Sequence, residues 1–192
     1  MINRFIPDEY FHKASDIDYK KLYESGFRTV FFDLDNTLAD YETHTPSEEL
    51  INLFKTIKES GLIPLIISNN HKKRVSTFGN ALEIDYLHDA LKPFLFKIKK
   101  FMKRNNYNSQ EIVWIGDQVV TDIALSHKMN IYSILVDPIR KETEHWYTRI
   151  NRMFERKHLK KIKKQQPETY TRLKLEERNI WVKNIFALDV EQ

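Results

Sequence analysis

None of the 192 residues is cysteine. That excludes disulfides, thiolate nucleophiles and cysteine-based zinc sites, and it is compatible with a reducing compartment. Glycine and proline are sparse, at four and six residues, so wholesale disorder is not expected. No stretch approaches the roughly 18 consecutive apolar residues that a membrane-spanning helix needs. The opening residues, Met1-Ile2-Asn3-Arg4-Phe5-Ile6-Pro7-Asp8-Glu9, turn acidic where a signal peptide stays apolar. The expected location is cytoplasmic. The seven histidines lack a His-x-x-x-His spacing and read as surface or core residues rather than metal ligands.

What is present fits one globular domain with an appendage, since 41% of residues are hydrophobic and 30% charged. The formal charge of +4 conceals a local excess. From Arg140 to Lys164 ten Lys/Arg face three Asp/Glu, a net +7. Such a patch suits an anionic partner, a membrane surface or nucleic acid, and equally a solvated helix face. Trp146, Ile150, Met153 and Phe154 lie within it at helical spacing. They can either enter a membrane interface or pack on a sheet.

Buried strands are expected at Arg28 to Asp33, Leu62 to Ile67, Ile112 to Ile115 and Ile131 to Val136, which are short runs rich in β-branched and aromatic residues. Pro64 is an awkward member because it has no N–H for a ladder. Thr45-Pro46-Ser47-Glu48 reads as a cap hydroxyl on Thr45, a proline at the first helical position and a glutamate three residues after the cap. Leu50, Leu53, Phe54 and Ile57 then predict a helix that Gly61 ends. Further helices are expected from about Lys72, after Pro93, and over Thr121 to Lys128. Strands alternating with helices imply a mostly parallel sheet, which gathers the acidic strand ends along one edge.

Asp33-Leu34-Asp35-Asn36-Thr37 places two carboxylates just beyond the first of those strands. Phosphoryl transfer needs an in-line nucleophile, a proton donor for the leaving oxygen and positive charge around the phosphoryl oxygens. Asp33 suits the first task and Asp35 the second. Two carboxylates would repel a phosphate dianion, so a cation is required, and Mg²⁺ suits an oxygen-only site. Asp117, at another strand end, is the expected further ligand. Ser68 can donate to a phosphoryl oxygen and Lys92 can neutralise developing charge. Thr37 and Asn69 join Ser68 and Lys92 as candidate substrate contacts. Thr37 also suits a turn cap, and Asn69, Asn70 and Arg74 also suit a helix start.

In this order the residues resemble the four motifs of the haloacid dehalogenase (HAD) superfamily: Asp33 to Thr37, Ser68, Lys92, and Gly116-Asp117 through Thr121-Asp122. The resemblance implies an α/β fold, a Rossmann-like three-layer sandwich with a mostly parallel sheet. It also implies an aspartyl-phosphate intermediate on Asp33, acid and base catalysis by Asp35, and Mg²⁺ held by Asp33, the Asp35 backbone carbonyl and Asp117, with Asp122 in support. Residues 1–138 are then the phosphatase core, and 139–192 a basic helical segment and tail.

Asp33 to Ser68 holds only a loop and one helix, and Ser68 to Lys92 about two dozen residues, so no cap domain is expected. An open site favours a large substrate that itself helps exclude water. Pro7-Asp8 with Ile17-Asp18, Asp33-Leu34-Asp35-Asn36-Thr37-Leu38, Ser68-Asn69-Asn70 with Arg74-Val75, Lys92-Pro93, Gly116-Asp117-Gln118 with Thr121-Asp122-Ile123, and Thr148-Arg149-Ile150-Asn151-Arg152 with Glu155 carry a narrower resemblance. In these the chain is similar to the YqeG-type branch of capless HAD phosphatases, related to mitochondrial phosphatidylglycerophosphate phosphatases. That branch implies removal of the phosphate monoester from phosphatidylglycerophosphate, giving phosphatidylglycerol; where the basic segment rests on an anionic membrane, the expected place is peripheral, at its inner face. The alternatives are a phosphatase of nucleic-acid ends and a non-catalytic binding protein on the same fold.

Overall fold

The computed structural model describes residues 2–140 and 146–179. Six parallel strands form one sheet in the order β1-β6-β5-β2-β3-β4: β1 (Glu9–Phe11), β2 (Thr29–Phe32), β3 (Ile63–Ile67), β4 (Tyr86–Leu87), β5 (Ile112–Gly116) and β6 (Tyr132–Val136). Every residue of β2 and of β5 is buried, as expected of central strands covered on both faces.

The alternation of side chains divides the core in two. Val30, Phe32, Val113, Ile115 and Ile66 project toward α1 (Tyr19–Glu24), α2 (Glu48–Glu59) and α3 (Lys72–Ala81), meeting Leu22, Phe54, Ile57, Val75 and Phe78. Phe31, Leu65, Ile67, Ile112 and Trp114 project the other way, meeting Ile98 and Met102 of α4 (Phe96–Arg104) and Leu125 of α5 (Ala124–Lys128). This is the three-layer α/β sandwich the motifs imply.

Local chemistry explains the boundaries. The α2 cap is Ser47, two residues later than Thr45; its side chain accepts from Leu50 N, and Pro46 stays outside the helix. Gly61 follows the C-cap Ser60 with φ +94°, a left-handed turn that a side chain would oppose. Pro64 is tolerated inside β3 for a directional reason. Ile63 N donates to Arg28 O on the β2 side, whereas Ile66 N donates to Asp85 O on the β4 side. By alternation the Pro64 nitrogen points to the β4 side, before the two-residue β4 begins.

Asp8 and Asp18 have structural roles. Asp8 Oδ2 accepts from Ser133 N and Oγ at 2.8 and 2.7 Å, tying the N-terminal segment to β6, and Asp18 caps α1 through Lys21 N. The helix expected at Thr121 begins instead as a π-helical turn, Val119–Ile123, that runs into α5.

The C-terminal part forms α6 (Trp146–Gln165), α7 (Pro167–Arg172) and a helical turn over 175–179. On α6 the inward stripe is Thr148, Arg152, Glu155, Leu159 and Ile162, whereas Ile150, Met153 and Phe154 are 42%, 50% and 49% exposed. Those three side chains therefore face outward rather than pack on the sheet; that of Trp146 lies outside the described residues. Leu159 and Ile162 join Ile6, Tyr170, Leu173 and Leu175 in a small cluster of their own. Among the described residues no helix is long and apolar enough to cross a membrane.

Candidate active site

Phe32 of β2 lies opposite Ile115 of β5, so Asp33 and Gly116-Asp117 leave the sheet side by side. Asp33 N donates to Ile115 O at 2.9 Å and continues the ladder one step beyond β2. From β2 the chain order runs outward through β3 on one side and through β5 on the other, making this the switch point at which open parallel sheets bind ligands. A cavity of about 470 Å³ opens there, lined by Asp33, Asp35, Ser68, Asn69, Lys92 and Gln118 among others.

Lys92 enters from the loop after β4. Its Nζ lies 2.7 Å from both Asp33 Oδ1 and Asp122 Oδ1, and its ammonium stands over the Trp114 ring, 5.6 Å from the centroid. Asn69 fixes the backbone of this lysine reciprocally: Lys92 N donates to Asn69 Oδ1 at 2.6 Å, and Asn69 Nδ2 to Lys92 O at 2.9 Å. Asp122 also accepts from Trp114 Nε1 and Gln118 N. Gly116 makes room for it, since a Cβ there would lie 2.4 Å from Asp122 Cγ. A motif glycine is thus explained by close packing rather than by a turn.

The second carboxylate of the first motif is held differently. Asp35 Oδ1 accepts from Arg74 Nε at 2.6 Å and Oδ2 from Asn70 Nδ2 at 3.0 Å. Arg74 also donates to Thr43 O and Asp40 O, closing the loop between β2 and α2 over α3. Ser68 has no solvent exposure, and its Oγ accepts from Asn70 N at 3.0 Å. Thr37 Oγ1 donates to Asp117 Oδ1 at 3.2 Å.

The electrostatics are those of crowded acids. Burial pushes the Asp33 carboxyl well above the usual carboxylate range; Lys92 opposes the rise, and Asp122, Asp117 and Asp35 add to it. Burial alone would push Lys92 down, but the carboxylates of Asp122 and Asp33 outweigh it and hold the ammonium above its ordinary value. Asp33, Asp117 and Asp122 each offer an oxygen within 4.8 Å of the others. An all-oxygen donor set with surplus negative charge fits Mg²⁺. Each of the three already has a protein partner: Asp122 is engaged by Lys92, Trp114 and Gln118, Asp33 by Lys92, and Asp117 by Thr37 and Arg152.

The structure brings Asp33, Asp35, Ser68, Asn69, Lys92 and Asp117 to one edge. Trp114, a strand residue by its pattern, supplies the floor beneath Lys92, and Arg178 reaches Asp117 from outside every motif. Their signals in the sequence are an aromatic at a strand position and an isolated arginine, and neither marks a site by itself.

This fold and this site define a phosphatase of the HAD superfamily. The chain belongs to the mitochondrial PGP phosphatase family, whose model matches residues 2–140. It is similar to the Probable phosphatase YqeG of Bacillus subtilis (strain 168), with 32% identity over 160 residues that cover 83% of this chain and 92% of that one. Among solved structures it is similar to the cobalt-bound deoxy-D-mannose-octulosonate 8-phosphate phosphatase of Haemophilus influenzae, with 15% identity, TM-score 0.48, and 60% and 70% of the two chains covered. A further likeness is to the 3-deoxy-D-manno-octulosonate 8-phosphate phosphatase of Moraxella catarrhalis in complex with magnesium, phosphate and KDO, with 20% identity, TM-score 0.41, and 52% and 64% covered.

Proposed function

We propose that this phosphatase hydrolyses a phosphate monoester carried by a lipid, with phosphatidylglycerophosphate as the substrate, through an aspartyl-phosphate on Asp33. The observation that carries the chemistry is the Asp33–Lys92 pair at 2.7 Å on the floor of the cavity, with Asp117 at the adjacent strand end. Asp33 attacks phosphorus, and the bond from phosphorus to the ester oxygen breaks. Asp35 gives that oxygen a proton and then takes one from the water that cleaves the acyl phosphate, releasing inorganic phosphate and restoring Asp33. Both Asp35 oxygens are engaged by Arg74 and Asn70, so this role requires Asp35 to exchange one of these contacts for the leaving oxygen.

Lys92 balances charge on the transferring group, and Ser68, whose oxygen already accepts from Asn70 N, has its own proton to donate to a phosphoryl oxygen. Asp33 and Asp117, with the Asp35 backbone carbonyl, would hold Mg²⁺, which when bound offsets the negative charge shared by substrate and carboxylates.

The lipid reading is supported by the family and by the rim of the cavity. Leu91 and Phe94, which flank the cavity residues Lys92 and Pro93, are 44% and 66% exposed, and outward-facing Ile150 adjoins the cavity residue Asn151. Lys157, Lys160, Lys161 and Lys164 are exposed further along the same helix. Apolar side chains beside a basic face suit an anionic membrane.

The test is turnover of phosphatidylglycerophosphate in detergent micelles, an aryl phosphate and a 3′-phosphorylated oligonucleotide, each with Mg²⁺ and with excess chelator. The expected outcome is a preference for the lipid and loss of activity in chelator. Equal or better turnover of the oligonucleotide overturns the lipid reading; activity that survives chelation overturns the ion.

A further inference from the structure

Arg152 and Arg178 lie beyond the residues matched by the family model, and their side chains have no solvent exposure. A buried guanidinium costs several kcal/mol unless its donors are satisfied, so their partners carry information. Arg152 Nη2 donates to Asp117 Oδ2, and Nη1 donates to Asp117 O at 2.6 Å and to Glu155 Oε2 at 3.1 Å. Arg178 Nη2 donates to the same Asp117 carbonyl at 2.6 Å, and its Nε to Glu155 Oε1 at 2.6 Å. Its Nη1 reaches Asp137 Oδ1 at 3.1 Å. The two guanidiniums thus face three carboxylates, and Glu155 bridges them.

Asp117 is the focus of this arrangement. Its backbone carbonyl takes two guanidinium donors, and its side chain is held between Arg152 on Oδ2 and Thr37 on Oδ1. A planar fork can grip a carbonyl and a carboxylate of one residue at once, which a lysine ammonium cannot reproduce. A ligand carboxylate whose rotamer is fixed before the ion arrives loses less freedom on binding it.

We propose that Arg152 is the positioning residue for Asp117: set in place by Glu155 and Arg178, it fixes the carboxylate beside Asp33, so that residues 146–179 complete the phosphatase site. The proposal rests on Asp117 being an ion ligand. It deepens that reading by assigning the orientation of the ligand to a segment outside the four motifs. A merely structural Arg152 would lower stability and leave ion affinity alone.

The experiment is calorimetric titration of the full chain with Mg²⁺, in parallel with the Mg²⁺ dependence of aryl phosphate turnover. Circular dichroism serves as the fold control. Arg152→Gln is expected to weaken Mg²⁺ binding by about 10- to 100-fold, to raise the half-saturating Mg²⁺ correspondingly, and to change kcat at saturation less. Arg152→Lys recovers part of the loss. If Arg152→Gln does not fold, Glu155→Gln, which keeps the guanidinium but removes its bridge, is expected to weaken binding several-fold.

Unchanged or tighter Mg²⁺ binding in a folded Arg152→Gln, or in Glu155→Gln used in its place, overturns the positioning role. Asp117→Asn separates this from the underlying reading. Wild-type Mg²⁺ affinity in that variant removes Asp117 from the ion site, whereas its loss alongside an unaffected Arg152→Gln overturns only the positioning role.

Discussion

Two buried charge networks meet at the C-terminal edge of the sheet, and they are built differently. One joins Lys92 to Asp33 and Asp122, side chains on loops and a turn that follow strands of the same sheet. The other joins Arg152, Glu155 and Arg178 to Asp117 and reaches in from α6 and the helical turn beyond α7. The first is set by strand register: Asp33 and Asp117 are neighbours because Phe32 and Ile115 are paired. The second has no register to rely on. It depends on a small apolar cluster around Leu159 and Ile162 to place the helix, and on full pairing to offset the desolvation of two guanidiniums. A sheet edge can present a reactive group almost by itself, whereas holding that group still recruits residues from far along the chain.

Asp33→Asn removes the nucleophile while leaving both networks nearly isosteric, and should lower kcat for an aryl phosphate by roughly 10³-fold or more with little change in thermal stability. Comparable activity in the purified variant would reassign the chemistry. Arg178→Met should act in the opposite sense. It leaves Glu155 buried with a partner missing, and breaking such a pair costs about 3–5 kcal/mol of folding stability. Denaturant unfolding checks it, and a loss below that of a surface substitution would show the second network to be dispensable.

Gly116→Ala strikes the first network through packing. The added methyl would lie 2.4 Å from Asp122 Cγ, and Asp122 is pinned by Lys92 and Trp114. Overpacking of this kind costs about 1–3 kcal/mol, and the displaced Lys92 should lower kcat as well. A variant with normal melting and turnover would mean that Asp122 is free to shift.

The smallest effect is a pH dependence at the edge of the second network. His12 is largely exposed, with Nδ1 2.8 Å from Asp137 and Nε2 3.0 Å from Glu177. Its pKa is raised above 6.5, chiefly by the bond to Asp137; burial works against the rise, and the charges of Asp137 and Glu177 add to it. A raised folded-state value means that the stabilisation is fully present below pH 6.5 and is lost as pH rises through the raised value. Exposed pairs are screened by water, so no more than about 1 kcal/mol is expected. His12→Gln should flatten the fall in melting temperature over that window; an unchanged slope would mean that His12 does not anchor the C-terminal segment.

The sequence by itself carries the four central strands, the helices that follow β2, β3, β4 and β5, and the motif residues at the strand ends, but not α1. Buried parallel strands must be continuous apolar runs, and the chemistry must stand where those runs stop. It also contained Arg152 and Glu155 as part of a resemblance, without a task. Only the tertiary structure decided the rest. β1 and β4 have three and two residues, too few for any period to show. The α2 cap is Ser47 rather than Thr45: either hydroxyl can cap, and it is the Ser47 oxygen that takes Leu50 N. On α6 the apolar spacing of Ile150, Met153 and Phe154 suits a membrane interface and a sheet equally, and Thr148, Arg152 and Glu155 are the residues that turn inward. Burial of a polar side chain is set by the partners that fold against it, and Arg178 meets Asp117 only after the intervening chain has folded.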